Sequence, residues 1–139
     1  MTSIAADIEA RLETLPWPVY DSDATGATNH PYILLLPPVG GLDPEHTLGG
    51  ARTSIVDTLM VRAVALTGDA VRGVLQRSRT VLSREGRPLT FDVDGAWRVT
   101  LTREPGRVEV LVDRDVPETG TGKYPLFATD TYELRAVPL

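Results

Sequence analysis

The chain has 139 residues, a hydrophobic content of 42%, a charged content of 24% and a formal net charge of −5. These values are ordinary for one globular domain, and the acidic balance argues against a protein whose main task is to grip nucleic acid, because that task needs a basic surface. Since the chain has no cysteine, disulfide frameworks and thiolate metal sites are excluded.

Segments for membrane insertion and export are the next features to consider. No run of apolar residues is long enough to cross a bilayer, so we expect no membrane partner. The first fifteen residues lack the basic start and the apolar core of a signal peptide. We therefore expect a protein that is made and assembled in a cytoplasm.

The chain begins with a predicted helix. Its apolar residues recur at helical spacing on one face: Ile4, Ile8, Leu12 and Leu15. Thr2 or Ser3 can cap the helix, and Pro16 ends it. A short strand follows around Val19 and Tyr20.

The next segments predict two strands that enclose a long loop. Residues 32–37, with the sequence YILLLP, are nearly all apolar and are typical of a central strand buried on both faces. Residues 37–52 are rich in glycine and proline and predict a mobile loop, which at this length is usually functional or disordered. Residues 53–66 are β-branched and apolar, and they predict a long strand.

A second helix is predicted to open at Gly68 and Asp69, with Asp69 near its N-cap. Its apolar face combines six residues: Val71, Val74, Leu75, Ser78, Val81 and Leu82. Three arginines are predicted to lie outside that face: Arg72, Arg77 and Arg79.

The last third of the chain predicts hairpins. Alternation at Leu89, Phe91 and Val93 is followed by a tight turn at Asp94 and Gly95, and the chain then alternates back. That returning strand contains Trp97, Val99 and Leu101. Residues 107–113 predict a further strand with Val108, Val110 and Val112 on one side, and residues 113–123 predict a second mobile loop.

The terminal residues 124–139 alternate between apolar and polar, which predicts a long strand. We expect it to pair with residues 108–112 or with residues 32–37. Asp130 interrupts its apolar side, so we expect that carboxylate at the rim of the sheet or hydrogen-bonded. The whole pattern, residues 1–139, predicts a single α+β domain: a mixed, largely antiparallel sheet with two helices packed on one face.

Two stretches resemble ligand-binding loops, but neither meets the requirements of its motif. Residues 118–124, ETGTGKY, resemble a phosphate-binding loop, yet Pro117 takes the place of the first glycine and a strand follows instead of a helix. Residues 21–26 resemble the start of a calcium loop, yet Tyr32 stands where the bidentate glutamate is required. A flexible loop and a turn explain them better.

Catalytic residues are equally hard to assemble. His30 and His46 are the only histidines, and no Gly-x-Ser-x-Gly stretch offers a nucleophile for either of them. The carboxylate pairs at Asp92 with Asp94 and at residues 113 and 115 are explained as solvated turn positions. We therefore expect no enzyme, no cofactor and no metal, and a protein that works by binding or by assembly.

The succession of segments resembles a known family. A short helix leads to the strand at Trp17, Val19 and Tyr20, and PYILLLPP precedes a glycine-rich loop. The long strand SIVDTLMVRAVAL, the helix GDAVRGVLQRSRTVL and the ending YPLFATDTYELRA follow. This order is similar to that of the tail terminator proteins of long, non-contractile-tailed phages, particularly those of actinobacterial hosts. The resemblance spans essentially the full chain.

The resemblance implies a structural virion protein at the head-proximal end of the tail. Its subunits would assemble as a hexameric ring that caps the tail tube, stops tube polymerisation and provides the surface for joining the head. The implied partners are further copies of the chain, the tail tube protein and a head–tail connector protein, while DNA only passes through the lumen.

Such a ring needs exposed surfaces that meet its neighbours. The sequence offers both predicted loops and the arginine side of the second helix for this purpose. The individual candidates are Leu42, His46, Leu48, Arg52, Arg72, Arg77, Arg79, Arg114 and Lys123. The alternatives are another connector subunit of the virion neck and, in a different class, a small cytoplasmic ligand-binding α+β protein or small enzyme.

Overall fold

A central sheet organises the chain in the computed structural model, which describes residues 4–23, 30–36, 54–114 and 124–139. These residues form two helices and an eight-stranded, mostly antiparallel sheet, as the α+β prediction requires. The strand order is β1-β2-β3-β8-β6-β5-β4, with β7 also paired to β8. The elements are α1 (Ile4–Leu12), β1 (Val19–Asp21), β2 (Tyr32–Leu36), β3 (Ile55–Ala65), α2 (Gly68–Val81), β4 (Ser83–Arg84), β5 (Arg87–Val93), β6 (Trp97–Arg103), β7 (Leu111–Val112) and β8 (Leu126–Pro138).

The terminal strand β8 lies in the middle of the sheet. It pairs with β3 along one edge and with β6 and β7 along the other. The expected partner around residues 108–112 is confirmed only for the two residues of β7, and the expected pairing with residues 32–37 is wrong. The 11-residue β3 is the strand that matches the length of the 13-residue β8, so their pairing satisfies the most backbone groups.

The hydrophobic core lies on one face of the sheet, which we call the inner face. Successive side chains along each strand point alternately to the two faces, and most of those on the inner face of β3, β6 and β8 are buried. The helices add their own apolar faces to the same core. The largest fully buried side chains are Tyr132, Ile4, Ile8, Leu12, Ile33, Leu35, Leu59, Leu82, Leu101, Leu134, Val61 and Val71.

Helix α2 has the predicted apolar face but a different cap. The Thr67 hydroxyl accepts a hydrogen bond from the Ala70 N–H at 3.1 Å, and Thr67 has an extended backbone, so it is the N-cap. Asp69, which was expected near the cap, instead lies in the first turn and pairs with Arg72 at 3.0 Å. At the other end, the Leu82 N–H donates to the Ser78 carbonyl and closes the last turn.

Two predicted strands differ from expectation. Strand β2 has alternating half-buried and buried residues, so its burial on both faces, predicted from the apolar run, is wrong. Residues 107–110 are not a strand, although Val108 and Val110 pack partly against the core. The predicted turn between β5 and β6 is confirmed, because Asp94 and Gly95 have φ angles of 52° and 63°.

Candidate interaction surface

The side of the sheet opposite the core, which we call the outer face, is the main candidate for a binding surface. In the described parts of the chain, both helices contribute their buried residues to the core and neither packs on this side. The strand registers place side chains from β2, β3, β8 and β6 on the outer face in cross-strand rows. An antiparallel sheet commonly has one solvated face, which is then mostly polar.

One end of the outer face is aromatic. Tyr32, Val64, Phe127 and Leu111 oppose one another across β2, β3, β8 and β7, and we call them the aromatic row. The Tyr20 ring meets the Tyr32 ring edge to face, with ring centroids 5.5 Å apart. Partial burial raises the pKa of the Tyr32 hydroxyl, and the charge of Asp113 adds to the effect.

Arg62 covers part of the aromatic row. Its guanidinium carbon lies 4.5 Å from the centre of the Phe127 ring, and its Nε donates to the Thr129 hydroxyl at 3.1 Å. A guanidinium over an aromatic face is attracted by the ring quadrupole. The contact holds the long Arg62 side chain against the outer face, so a positive charge lies beside the aromatic row.

Beside this row, the outer face of β3 exposes large apolar side chains. Met60 is 39% exposed and opposes the half-buried Leu36 on β2, while Val56 is 58% exposed at the start of the strand. At the opposite end of the outer face, over β5 and β6, the side chains are polar. They include a contact between Thr90 and Thr100 and an ion pair between Arg98 and Asp92. The outer face therefore exposes apolar side chains over β2 and β3, interrupted by Thr58 and Arg62, and is polar over β5 and β6.

A cleft of about 300 Å³ borders the aromatic row. Its walls come from residues 104–109 on one side, and from Leu111, Phe127, Thr129 and Thr131 on the other. The Glu104 N–H donates to the Thr131 carbonyl at 2.8 Å, which anchors the beginning of residues 104–109 to β8. The outer face thus has a depression as well as exposed apolar side chains.

Several predicted interface residues lie outside the described part of the chain. They are Leu42, His46, Leu48, Arg52 and Lys123, together with residues 37–52 and all of the predicted loop 113–123 except its first two residues. Arg114 is described and is exposed just after β7.

The arginines of α2 already have contacts within the chain. Arg72 pairs with Asp69, and the Arg77 guanidinium lies 5.6 Å from the centre of the Trp17 ring. Both arginines are exposed. They remain available to a neighbouring subunit, because neither contact removes them from solvent.

The position of Arg79 differs from the sequence prediction. It was expected outside the buried face of α2, yet its side chain is only 34% exposed and it forms two hydrogen bonds with Asp130 of β8. Those hydrogen bonds raise the pKa of the Arg79 guanidinium. Asp130 itself is 1% exposed, so the expectation that its carboxylate is hydrogen-bonded is confirmed.

The outer face was missed as a candidate in the sequence, although a signal for it is present. Val56 and Met60 occupy alternate positions of β3 that a half-buried strand would give to polar residues. The apolar run 53–66 predicts a long strand, but it does not by itself show which side chains are exposed. Within the described residues, no group of three or more His, Asp or Glu could hold a metal ion, and no helix has the length and hydropathy of a membrane span.

Comparisons with protein-family models, with curated proteins and with solved structures find no significant match to this chain. Any functional assignment therefore depends on the residues and the geometry described above.

Proposed function

We propose that this chain is a structural subunit of a phage virion. Its copies form a ring, which we take to be a hexamer, at the head-proximal end of a long, non-contractile tail. The ring caps the tail tube, ends tube polymerisation and presents the surface that joins the head. The proposal is supported by the order of segments in the sequence and by the exposed apolar part of the outer face.

The apolar outer face is the observation that carries the proposal. Leu36 and Met60 oppose each other across β2 and β3, and Val56 lies further along the outer side of β3, beyond Thr58. Met60 and Val56 are each more than a third exposed. Apolar patches of this kind mark sites where proteins bind one another. Adjacent strands lie about 4.8 Å apart and rise about 3.3 Å per residue. The outer face of the five neighbouring strands β2, β3, β8, β6 and β5 therefore offers an area on the order of the 800 Å² that each partner of a stable interface buries.

Assembly through the sheet face fits the strand arrangement better than assembly through sheet edges. Among the described strands, the two that end the sheet are short: β1 has three residues and β4 has two. Short edge strands offer few free backbone groups to a neighbouring chain. A subunit that packs its outer face on a different surface of the next copy forms a heterologous interface, and such an interface closes into a ring when the rotation permits.

Tube assembly in vitro tests the proposal. The purified chain should form a ring, seen by native mass spectrometry and electron microscopy, alone or on tail tube protein. Added to polymerising tube protein, it should bind tube ends and shorten the mean tube length. A connector subunit of the neck, the closest alternative, would instead bind a portal or adaptor protein and leave tube length unchanged.

A second candidate function is a small ligand-binding protein. One observation favours it: a pocket of about 240 Å³ at the end of α2, lined by several polar side chains. This alternative predicts a stable monomer or dimer at every concentration, with and without tube protein. The oligomeric state therefore separates the two candidates.

A further inference from the structure

The pocket at the end of α2 is lined by an unusual set of charges. Three of its ten lining residues are arginines, and none is an aspartate or a glutamate. Arg79 comes from α2, Arg87 from the start of β5 and Arg103 from the end of β6. Ser83 and Tyr132, whose side chains carry hydroxyl groups, also line the pocket. The lining therefore combines apolar residues with arginines and hydroxyl groups, and the one acidic side chain bonded to these arginines among the described residues is Asp130, the partner of Arg79.

The arginines of this pocket differ in how they are used. Arg79 donates through Nε and Nη2 to Asp130. Arg87 and Arg103 have no ion pair among the described residues. A guanidinium carries five N–H donors in a planar fork that matches the oxygens of carboxylates and phosphates. Two such forks facing one cavity therefore have donors to offer to a ligand that carries negative charge.

The Tyr132 hydroxyl adds a second, independent observation. Tyr132 is 1% exposed, and its hydroxyl has no hydrogen-bond partner in the described parts of the chain. A buried donor without a partner is costly, so buried hydroxyls usually have one. A tyrosine hydroxyl holds its proton at neutral pH, and burial raises the pKa of this one further, so it can act as a hydrogen-bond donor. An oxygen of a bound ligand would provide the missing acceptor.

We propose that this pocket binds a small oxyanion, a phosphate group or a carboxylate, through Arg87, Arg103 and the Tyr132 hydroxyl. The volume of about 240 Å³ suits such a ligand, because pockets for larger organic ligands usually begin at about 300 Å³. The Ser83 hydroxyl donates to the Arg79 carbonyl, so it can meet the ligand only as an acceptor of a protonated oxygen. This inference does not depend on the proposed assembly into a ring.

Thermal unfolding and isothermal titration with defined anions test the inference. Inorganic phosphate, sulfate and citrate, each compared with chloride at the same ionic strength, should raise the unfolding temperature of the wild-type chain. A larger rise with phosphate and sulfate would identify a tetrahedral oxyanion, and a larger rise with citrate would identify a carboxylate. Equal, negligible shifts with all three anions would overturn the proposal.

Three variants show whether the binding occurs in this pocket. Arg103→Ala should weaken phosphate affinity about tenfold or more, as expected for loss of a charge-assisted hydrogen bond. Tyr132→Phe should weaken it about threefold to tenfold and should not lower the unfolding temperature without phosphate, because it removes an unpaired donor. Arg84→Ala is the matched control. Like Arg103→Ala it removes one positive charge, but Arg84 lies on β4 and does not line the pocket.

The comparison of variants decides between a site and diffuse attraction. The proposal requires Arg84→Ala to bind phosphate like the wild type while Arg103→Ala and Tyr132→Phe bind it more weakly. If all three variants keep the wild-type affinity, or if Arg84→Ala weakens binding as much as Arg103→Ala, the pocket is not the binding site. Chemical-shift changes confined to residues around Tyr132 on phosphate addition would locate the ligand directly.

Discussion

Arg79 of α2 and Asp130 of β8 form a bidentate ion pair, with Nε donating to Oδ2 at 2.6 Å and Nη2 donating to Oδ1 at 2.7 Å. The pair joins the helix to the central strand of the sheet. It also explains why a carboxylate can lie among apolar side chains, since Asp130 opposes Val61 on β3 and is 1% exposed. Both carboxylate oxygens have a charged donor, which offsets the loss of water.

We expect the two halves of this pair to respond differently to mutation. Arg79→Met leaves a buried carboxylate without a partner and should lower the free energy of unfolding by about 3 kcal/mol. Asp130→Asn leaves a guanidinium that is one-third exposed and can be hydrated, so it should cost only about 1 kcal/mol. Denaturant unfolding of each variant measures both values.

The double variant and a surface control sharpen this test. Arg79→Met combined with Asp130→Asn should be more stable than Arg79→Met alone, because a neutral amide replaces the unpaired charge. Arg72→Ala breaks the exposed pair with Asp69 on the same helix and should change stability by less than about 0.5 kcal/mol. Equal losses for the Arg79 and Asp130 variants would contradict the importance of burial in this pair.

Tyr132 should make the protein sensitive to alkaline pH. Burial raises the pKa of its hydroxyl above the ordinary value of 10.0, and the Asp130 charge adds to that rise. Above pH 10 the unfolded chain loses this proton while the folded chain keeps it, so the free energy of unfolding falls as the pH rises. Below that pH both states hold the proton, and this part of the stability is fully present.

Urea unfolding of wild type and Tyr132→Phe between pH 8 and pH 11.5 measures this effect. The variant should lose stability less steeply above pH 10, while other titrating groups, including Tyr32, contribute equally to both proteins. Tyr124→Phe removes the same atom from an exposed tyrosine and should keep the wild-type slope. Parallel curves for wild type and Tyr132→Phe would show that the Tyr132 hydroxyl is not protected by the fold.

Two glycines should respond in opposite directions to the same substitution. Gly73 is an exposed residue in the middle of α2, and an added Cβ there meets nothing within 4 Å. Gly73→Ala should therefore stabilise the protein by between about 0.5 and 1 kcal/mol. Gly95 has a φ of 63° in the β5–β6 turn, so Gly95→Ala should destabilise it by about 1 kcal/mol. Thermal unfolding distinguishes the signs, and a stabilising Gly95→Ala would contradict the turn geometry.

The apolar outer face should be needed for assembly rather than for folding. Met60→Glu places a charge on an exposed side chain of β3, so it should leave the unfolding temperature nearly unchanged while it removes the ring. Thr80→Glu adds the same charge to an exposed position of α2 on the helical side, and this control should still assemble. Native mass spectrometry at equal concentration compares the variants.

The reverse result would place the interface elsewhere. If Thr80→Glu prevents assembly and Met60→Glu does not, the helical side with Arg72 and Arg77 is the contact surface. That outcome would favour the interface that the sequence suggested over the one that the outer face suggests.

Local pattern carried most of the fold prediction. Helical spacing located α1 and α2, and alternation located β5, β6 and β8, because each of these elements has one buried side. The long strand β3 was located by its β-branched, apolar composition. The pattern does not encode which strands lie next to each other in the sheet, and the prediction failed on this point. Residues 32–37 look central because they are apolar, yet β2 is one strand away from the sheet edge and its outer side is half-exposed.

The candidate sites could be predicted only in part. Asp130 was singled out because a carboxylate interrupts an apolar alternation, but its partner Arg79 is 51 residues away and the sequence has no signal for that distance. The arginine pocket combines side chains from α2, β5 and β6 with Tyr132 of β8, so it exists only after the sheet has formed. The exposed apolar side chains of β3 could be assigned to the outer face only from the strand register, which sets the face that each side chain occupies.

Tail length in a phage that lacks this gene tests the central claim most directly. We expect electron micrographs of such lysates to show tails of uncontrolled length that are not joined to heads. Complementation with the wild-type gene should restore uniform tails, and complementation with Met60→Glu should not. Tails of normal length in the deletion would contradict the proposal that this chain ends tail polymerisation.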